Sequence, residues 1–165
     1  MGNLTVHHRM SRRVRALAIG VAVAALTALL AGGAVAGIVS SLGVAKRTVS
    51  GRSMSIVVDR QGDAVYELSG ESLATLKCVT SACLKVWSPV EVRSATVTVP
   101  ISAGVPGPVS ILRRVKGNLW QVMLDRHPLY LYSGDRIGTA RGQGITSFGG
   151  TWHVVKAASA APKTG

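Results

Sequence analysis

At 165 residues the chain has room for one domain, and an apolar N-terminal stretch takes part of that length, leaving roughly 110 residues for one modest core. Its 19 basic and 7 acidic residues give a formal net charge of +12, and discounting Arg9, Arg12, Arg13 and Arg15 near the N-terminus leaves +8 on the remainder. A basic surface of that size favours anionic lipid headgroups or acidic wall polymers as partners over nucleic acid, with a solvated surface that has no partner as the other reading.

Residues 16–45 carry no charge, and 17–39 are the most apolar part, long enough for a bilayer, which takes about 20 apolar residues. Because the four arginines precede this run, the positive-inside rule keeps the N-terminal end in the cytoplasm and puts everything after about residue 45 outside. Two readings stand side by side. One is an uncleaved signal anchor. The other is a cleaved signal peptide, for which Ala34-Val35-Ala36 before Gly37 has the small-residue spacing, although the run exceeds the roughly 7 to 15 residues of a signal h-region. A buried core helix is disfavoured because no polar face interrupts the run. No cysteine lies near Ala36, which excludes lipid attachment there, and an exported chain is not expected to meet nucleic acid.

Residues 40–53 mix Ser, Gly, Lys and Arg without periodicity and read as a tether. The domain plan is therefore a signal anchor or signal peptide over 1–45, a tether over 46–54, an extracytoplasmic β domain over 55–156, and a disordered Ala/Pro/Lys tail over 157–165. Ile56-Val57-Val58, a polar turn at residues 59–63 and Ala64-Val65-Tyr66-Glu67-Leu68 predict a β-hairpin. Leu73, Leu76, Val79 and Leu84 suit a short helix or helical turn carrying both cysteines, ended by Pro89. The alternation of Val92, Ala95, Val97 and Val99 predicts a strand, residues 100–108 a loop, and residues 110–115 and 119–124 a hairpin about Lys116-Gly117-Asn118. A turn at 125–128, a strand at 129–132 and a last strand at 152–155 complete the domain.

Cys78 and Cys83 are the only cysteines. In an oxidising compartment a pair five positions apart reads first as a disulfide, ahead of a redox-active pair or a metal site, since the spacing is not CxxC and no second pair exists.

An internal repeat shows when the halves are laid together. Asp59-Arg60 and Asp125-Arg126 each open a turn, and Tyr66-Glu67-Leu68-Ser69-Gly70-Glu71 matches Tyr130-Leu131-Tyr132-Ser133-Gly134-Asp135 at identical spacing. Trp87 and Trp152 follow at nearly equal distances. The fold class is therefore mainly β: a small antiparallel domain of two related hairpin-containing repeats, with one short helical turn near the cysteines, preceded by an N-terminal apolar helix.

At these residues the chain resembles the bacterial secreted-repeat lipoproteins of unknown function, marked by a YxYxxD-type motif. Residues 130–135 match that motif fully, and the resemblance takes in His127-Pro128-Leu129, Gly142-Gln143-Gly144 and Gly149-Gly150-Thr151-Trp152-His153. In the first half Leu68 and Glu71 replace the second aromatic and the aspartate, while Cys78, Cys83 and Trp87-Ser88-Pro89 look like the family's Cys-Cys-Trp-Pro segment. The resemblance, read over residues 55–156, implies an extracytoplasmic location and no established activity. Lacking a lipobox cysteine, this chain would be anchored by its apolar segment or released.

His127, Tyr130, Tyr132, Asp135, Gln143 and His153 are the candidate binding residues. On a strand Tyr130 and Tyr132 point to one face, so their rings form either an exposed strip ending at Asp135 or part of the core with Asp135 capping the next turn. His127 and His153 are candidate metal ligands only if the fold brings them together. Ser133, His127 and Asp135 have the residue types of a triad but crowd one strand, no pair of acids suggests glycoside hydrolysis, and Arg141-Gly142-Gln143-Gly144 lacks a phosphate-loop lysine. No catalytic residue and no cofactor follow. The expectation is a non-catalytic envelope protein, bound to the membrane through its apolar segment and to an anionic lipid, an acidic wall polymer or an envelope protein. The alternative is a metal- or redox-linked protein using His127, His153 and the Cys78/Cys83 pair.

Overall fold

The structure, a computed structural model, describes residues 41–115 and 117–159, with Gly2 apart from them. The apolar segment expected as an anchor or signal lies, up to residue 40, outside the described residues. Among the described residues no helix is long and apolar enough to cross a membrane.

Order begins earlier than the sequence suggested. Leu42–Val49 (β1) and Arg52–Asp59 (β2) pair antiparallel in full register about a two-residue turn at Ser50 and Gly51, whose φ angles are 48° and 77°. The tether expected over 46–54 is thus the tip of a hairpin, and the apolar segment assigned to 1–45 ends inside its first strand. Only Leu42 and Val49 of β1 are fully buried, and Arg47 between them sends its guanidinium to the carbonyl of Gly62 at 2.7 Å. So irregular a pattern hides a strand from a periodicity test.

Ten further strands and one helix follow among the described residues: Tyr66–Leu68 (β3), Ser81–Val86 (α1), Trp87–Pro89 (β4), Glu91–Val92 (β5), Val109–Arg114 (β6), Leu119–Leu124 (β7), His127–Pro128 (β8), Tyr130–Tyr132 (β9), Thr139–Ala140 (β10), Thr146–Ser147 (β11) and Gly150–Val154 (β12). They form three sheets, ordered β10-β1-β2, β11-β12-β3-β9-β4 and β5-β7-β6, with β8 beside β7. The pairing is antiparallel except between β1 and β10 and at the bridge from Leu42 to Ile101.

At the centre of the five-stranded sheet Tyr66 faces Tyr130 across β3 and β9. On the flanks Leu68 pairs with Trp152 and Tyr132 pairs with Trp87. Each tyrosine strand therefore takes its outer neighbour from the opposite half of the chain. The same exchange appears in two closed triangles of backbone hydrogen bonds. Val57 N–H donates to Val155 (2.8 Å), Val155 to Val65 (2.9 Å) and Val65 to Val57 (3.1 Å). Val122 likewise donates to Val90 (2.8 Å), Val90 to Leu129 (2.9 Å) and Leu129 to Val122 (3.0 Å). Each triangle takes two members from one half and one from the other.

Two cores lie on the two faces of these strands. Ile56, Val58, Tyr66, Tyr130 and Val154 face one core, with Trp87, Trp152 and the disulfide; Val57, Val65, Leu129 and Val155 face the second. Burial on both faces is why Ile56-Val57-Val58 reads as a continuous apolar run rather than an alternating one.

Other expectations need correction. The helix is six residues long, begins after Thr80, whose hydroxyl accepts from the N–H of Cys83 at 3.2 Å, and leaves Cys78 outside. Leu73 and Val79, read as part of a helical stripe, are exposed, because residues 72–75 form a turn instead. The strand expected through Val99 stops at Val92, where its partner β7 runs out at the hairpin end. The tail expected from residue 157 begins hydrogen-bonded, Ala157 to Ser55 (3.0 Å) and Ala158 to Gly104 (2.8 Å). The hairpin over 110–124 stands as expected, and Asp125 and Arg126, at φ 46° and 68°, turn the chain tightly from β7 into β8.

Candidate functional site

The carboxylates of the repeated motif reach across the centre of the sheet. Asp135 accepts the Tyr66 hydroxyl at 2.7 Å on Oδ2 and the N–H of Arg141 at 2.6 Å on Oδ1. The Tyr66 oxygen in turn accepts the N–H of Gly142 at 3.1 Å. Glu71 holds the equivalent place in the other half: Oε1 accepts the N–H groups of Lys77 (2.7 Å) and Cys78 (3.0 Å), and its charge faces Tyr130. In both cases the acid closes a loop ending six residues later and meets the tyrosine of the opposite half. Burial, then the neighbouring carboxylate, lifts both tyrosine hydroxyls above their ordinary range, so both stay protonated. Burial also lifts Asp135, with the Tyr66 bond opposing it.

The two ties differ in their surroundings. Around Tyr130 the buried Arg114 donates to the phenol oxygen (3.0 Å), to Gln121 Oε1 (2.7 Å) and to the Cys78 carbonyl, while Gln121 donates to the Leu129 carbonyl at 2.7 Å. Glu71 is 1 % exposed and Arg114 3 %, so both charges lie in the interior. Sequence reading missed this polar cluster, because a strand-end arginine and a mid-strand glutamine look like ordinary surface residues until the fold covers them.

Between the ties the aromatic rings form one stack. Trp87 lies parallel to Trp152 at 3.9 Å and nearly so to Tyr132 at 4.4 Å, with Tyr66 and Tyr130 edge-on to them. Glycine backbone allows this closeness: a Cβ at Gly142 would stand 2.7 Å from the Trp87 ring, and one at Gly134 would stand 2.6 Å from the Tyr132 ring. The exposed aromatic strip is therefore corrected. Tyr130 is 0 % exposed and cannot meet a partner, and Tyr132 is half-buried against Trp87. Of the two readings, the core with Asp135 closing the next turn is the one this geometry shows.

The remaining candidates do not converge. Gln143 accepts the N–H of Val154 at 2.9 Å and meets His153 Nδ1 at 3.2 Å, whereas His127 Nδ1 lies 3.1 Å from the carbonyl of Glu71. Among the described residues no three histidine, cysteine or carboxylate groups are placed to hold a metal ion. Cys78 and Cys83 form a disulfide, and both are fully buried within the aromatic core.

One signal in the sequence went unread. The match of the two halves continues beyond the acid: Glu71-Ser72-Leu73-Ala74-Thr75-Leu76-Lys77 runs parallel to Asp135-Arg136-Ile137-Gly138-Thr139-Ala140-Arg141. In each loop the threonine N–H returns to the carbonyl three residues back, Thr75 to Ser72 (3.2 Å) and Thr139 to Arg136 (2.9 Å), and an aliphatic side chain, Leu73 or Ile137, is left exposed. Lys77 turns inward onto the carbonyls of Ser69 (2.9 Å) and Gly149 (2.8 Å), while Arg141 stays exposed.

These features define a class: a mainly antiparallel β protein whose motif tyrosines and acids serve as internal ties. Residues 113–156 match the sequence model of a family described as a secreted repeat of unknown function. The match covers β7 through β12 and the end of β6, so the resemblance read from residue 55 onward is matched in its second half. No curated protein and no solved structure matches the chain.

Proposed function

We propose that this chain is a non-catalytic interaction module of the cell envelope, working outside the cytoplasmic membrane and binding an anionic envelope component through its exposed loops. The two halves are copies of one repeat, the first diverged beyond the reach of the family match. The apolar N-terminal segment holds the domain at the membrane or is removed on export.

One observation carries this reading: the residues that mark the repeat are turned inward. Tyr66, Tyr130, Trp87 and Trp152 are fully buried, and Asp135 is bonded to Tyr66 and to a loop N–H. That arrangement engages the tyrosines and acids of the motif with one another and with the loops they close. What remains for a partner is the loop surface, which is basic. The description of the family as secreted supports the compartment.

The test is retention of envelope material by the immobilised domain, begun at Ser41, because a start at Ser50 would remove β1. Envelope extract is separated into lipid, wall-polymer and protein fractions before loading. Saturable retention of one fraction, weakened by salt as charge-driven binding requires, is the expected result. Failure to retain any fraction at low ionic strength would remove the proposal.

A further inference from the structure

The exposed loop after Asp135 presents an apolar side chain on a closed turn. Ile137 is 95 % exposed at the apex of the turn 136–139. The turn is closed by Thr139, whose N–H and hydroxyl both bond the Arg136 carbonyl at 2.9 Å, and by the Asp135 bond to Arg141 N–H at 2.6 Å. Gly138, at φ 82°, supplies the left-handed position that such a turn needs after its apex residue. Beyond the turn, β10 pairs with β1, so the loop is fixed to a three-stranded sheet. An isoleucine on a slack loop could fold back onto the protein; this one is held outward.

Its exposed charged neighbours are cationic, the one adjoining carboxylate, Asp135, being held by the Tyr66 hydroxyl and the N–H of Arg141. Arg136 and Arg141 flank Ile137, both exposed, and among the described residues neither guanidinium donates a hydrogen bond. Arg52 opens β2 across β1 from β10, and Lys46 points outward from β1. The only acidic residues of this sheet and loop stand at their ends, Asp59 buried at the end of β2 and Asp135 engaged by Tyr66 and the N–H of Arg141, while residues 41–58 and 136–159 contain none. Beside the turn Thr48, Ser50, Thr139, Arg141 and Gln143 line an open hollow of about 340 Å³, in which the Thr48 and Ser50 hydroxyls and the Arg141 guanidinium are donors for an anionic group.

We infer that the turn 136–139 is where this domain touches an anionic lipid bilayer, Ile137 entering the acyl boundary while Arg52, Arg136 and Arg141 meet the headgroup phosphates. The inference deepens the proposed function and rests on it. An acidic wall polymer would use the arginines and the hollow but has no interior for a projecting aliphatic side chain. A bilayer uses both, since partial transfer of an apolar group and attraction to anionic headgroups act together at its surface.

The experiment uses the full chain in lipid nanodiscs, one set of phosphatidylcholine alone and one with phosphatidylglycerol, read by amide hydrogen exchange in the segment 135–142. Exchange is expected to slow on the order of tenfold with the anionic lipid, the scale set by partly removing one aliphatic side chain from water. Ile137→Asp, and separately the pair Arg136→Gln and Arg141→Gln, should each abolish the slowing without changing the melting temperature, since all three side chains project into solvent. The N-terminal segment is common to every sample and cancels in the comparison. Equal exchange in both lipids would overturn the inference. So would equal slowing on adding soluble polyglutamate or inorganic phosphate, with Ile137→Asp behaving as wild type, since that outcome assigns the loop to a soluble anion. If exchange is unaffected while the domain still retains an envelope fraction, this inference falls and the proposed function stands; loss of both effects removes both.

Discussion

The rings of Trp87 and Trp152 lie face to face, their centroids 3.9 Å apart and their planes 6° from parallel. Each comes from a different half of the chain and each is fully buried. Two indoles so close should couple electronically, giving a split signal in the far-ultraviolet circular dichroism that either Trp87→Phe or Trp152→Phe removes. Tyr132→Ala, which uncovers one face of Trp87, should lower stability by about 2–4 kcal/mol, as for other large-to-small changes at a packed ring. A wild-type spectrum without the split band would place the rings apart.

Two glycines separate steric need from conformational need. Gly142→Ala sets a methyl 2.7 Å from the Trp87 ring and 2.8 Å from Tyr66, and should cost about 1–3 kcal/mol through overpacking. Gly138→Ala meets nothing within 4 Å but must hold a φ of 82°, which costs a side chain roughly 1–2 kcal/mol. Urea unfolding of the two variants should show the first also disturbing the near-ultraviolet signal of the aromatic core and the second leaving it alone.

Arg114 and Arg113 are neighbours in sequence with opposite fates. Arg114→Ala strips donors from Tyr130, Gln121 and the Cys78 carbonyl, all within the interior, so a loss of about 2–4 kcal/mol is expected. Arg113 lies exposed over the Trp120 ring at 5.6 Å, and Arg113→Ala should change little. Chemical denaturation that found the two variants equally stable would contradict the buried placement of Arg114.

Asp59 links stability to pH in an unusual direction. Burial lifts its carboxyl above the ordinary 3.8, against the opposing bonds from the N–H groups of Asp63 and Gln61. A carboxyl raised on folding binds its proton more tightly in the folded state, so its contribution is full below the unfolded value and lost as pH rises through the folded one. At neutral pH Asp59→Asn keeps an oxygen for both N–H groups and removes a buried charge, so the variant should melt at or above wild type. As pH falls toward 3.8 wild type should gain on it. Melting curves in which wild type loses ground to the variant on acidification would refute this assignment.

The legible parts of the fold were those where spacing alone carries the information. The hairpin about Gly117 and Asn118, the strand of Tyr130 and Tyr132 and the matched motifs could be read from alternation, turn residues and self-comparison. The hairpin at residues 42–59 was not, because β1 buries too few side chains to show a period and its other residues are those of a linker. The candidate site failed for a different reason. Alternation shows that Tyr130 and Tyr132 share a face, but not which face the opposite half of the chain will cover. Sequence likewise gave no sign that the copies trade partners, since that depends on closure in space, and Arg114 and Gln121 acquire their meaning only from it.

The exchange of strands between halves also fixes when the fold can form. Because β12 sits beside β3, and Val155 completes the triangle of Val57 and Val65, the earliest-made portion has no finished core until nearly the last described residues have emerged. Such contacts join positions about ninety residues apart, an arrangement that slows folding. The nascent chain therefore stays pliant until its far end is made, and a ribosome stopping a few codons early would release an unfinished protein rather than a smaller working one.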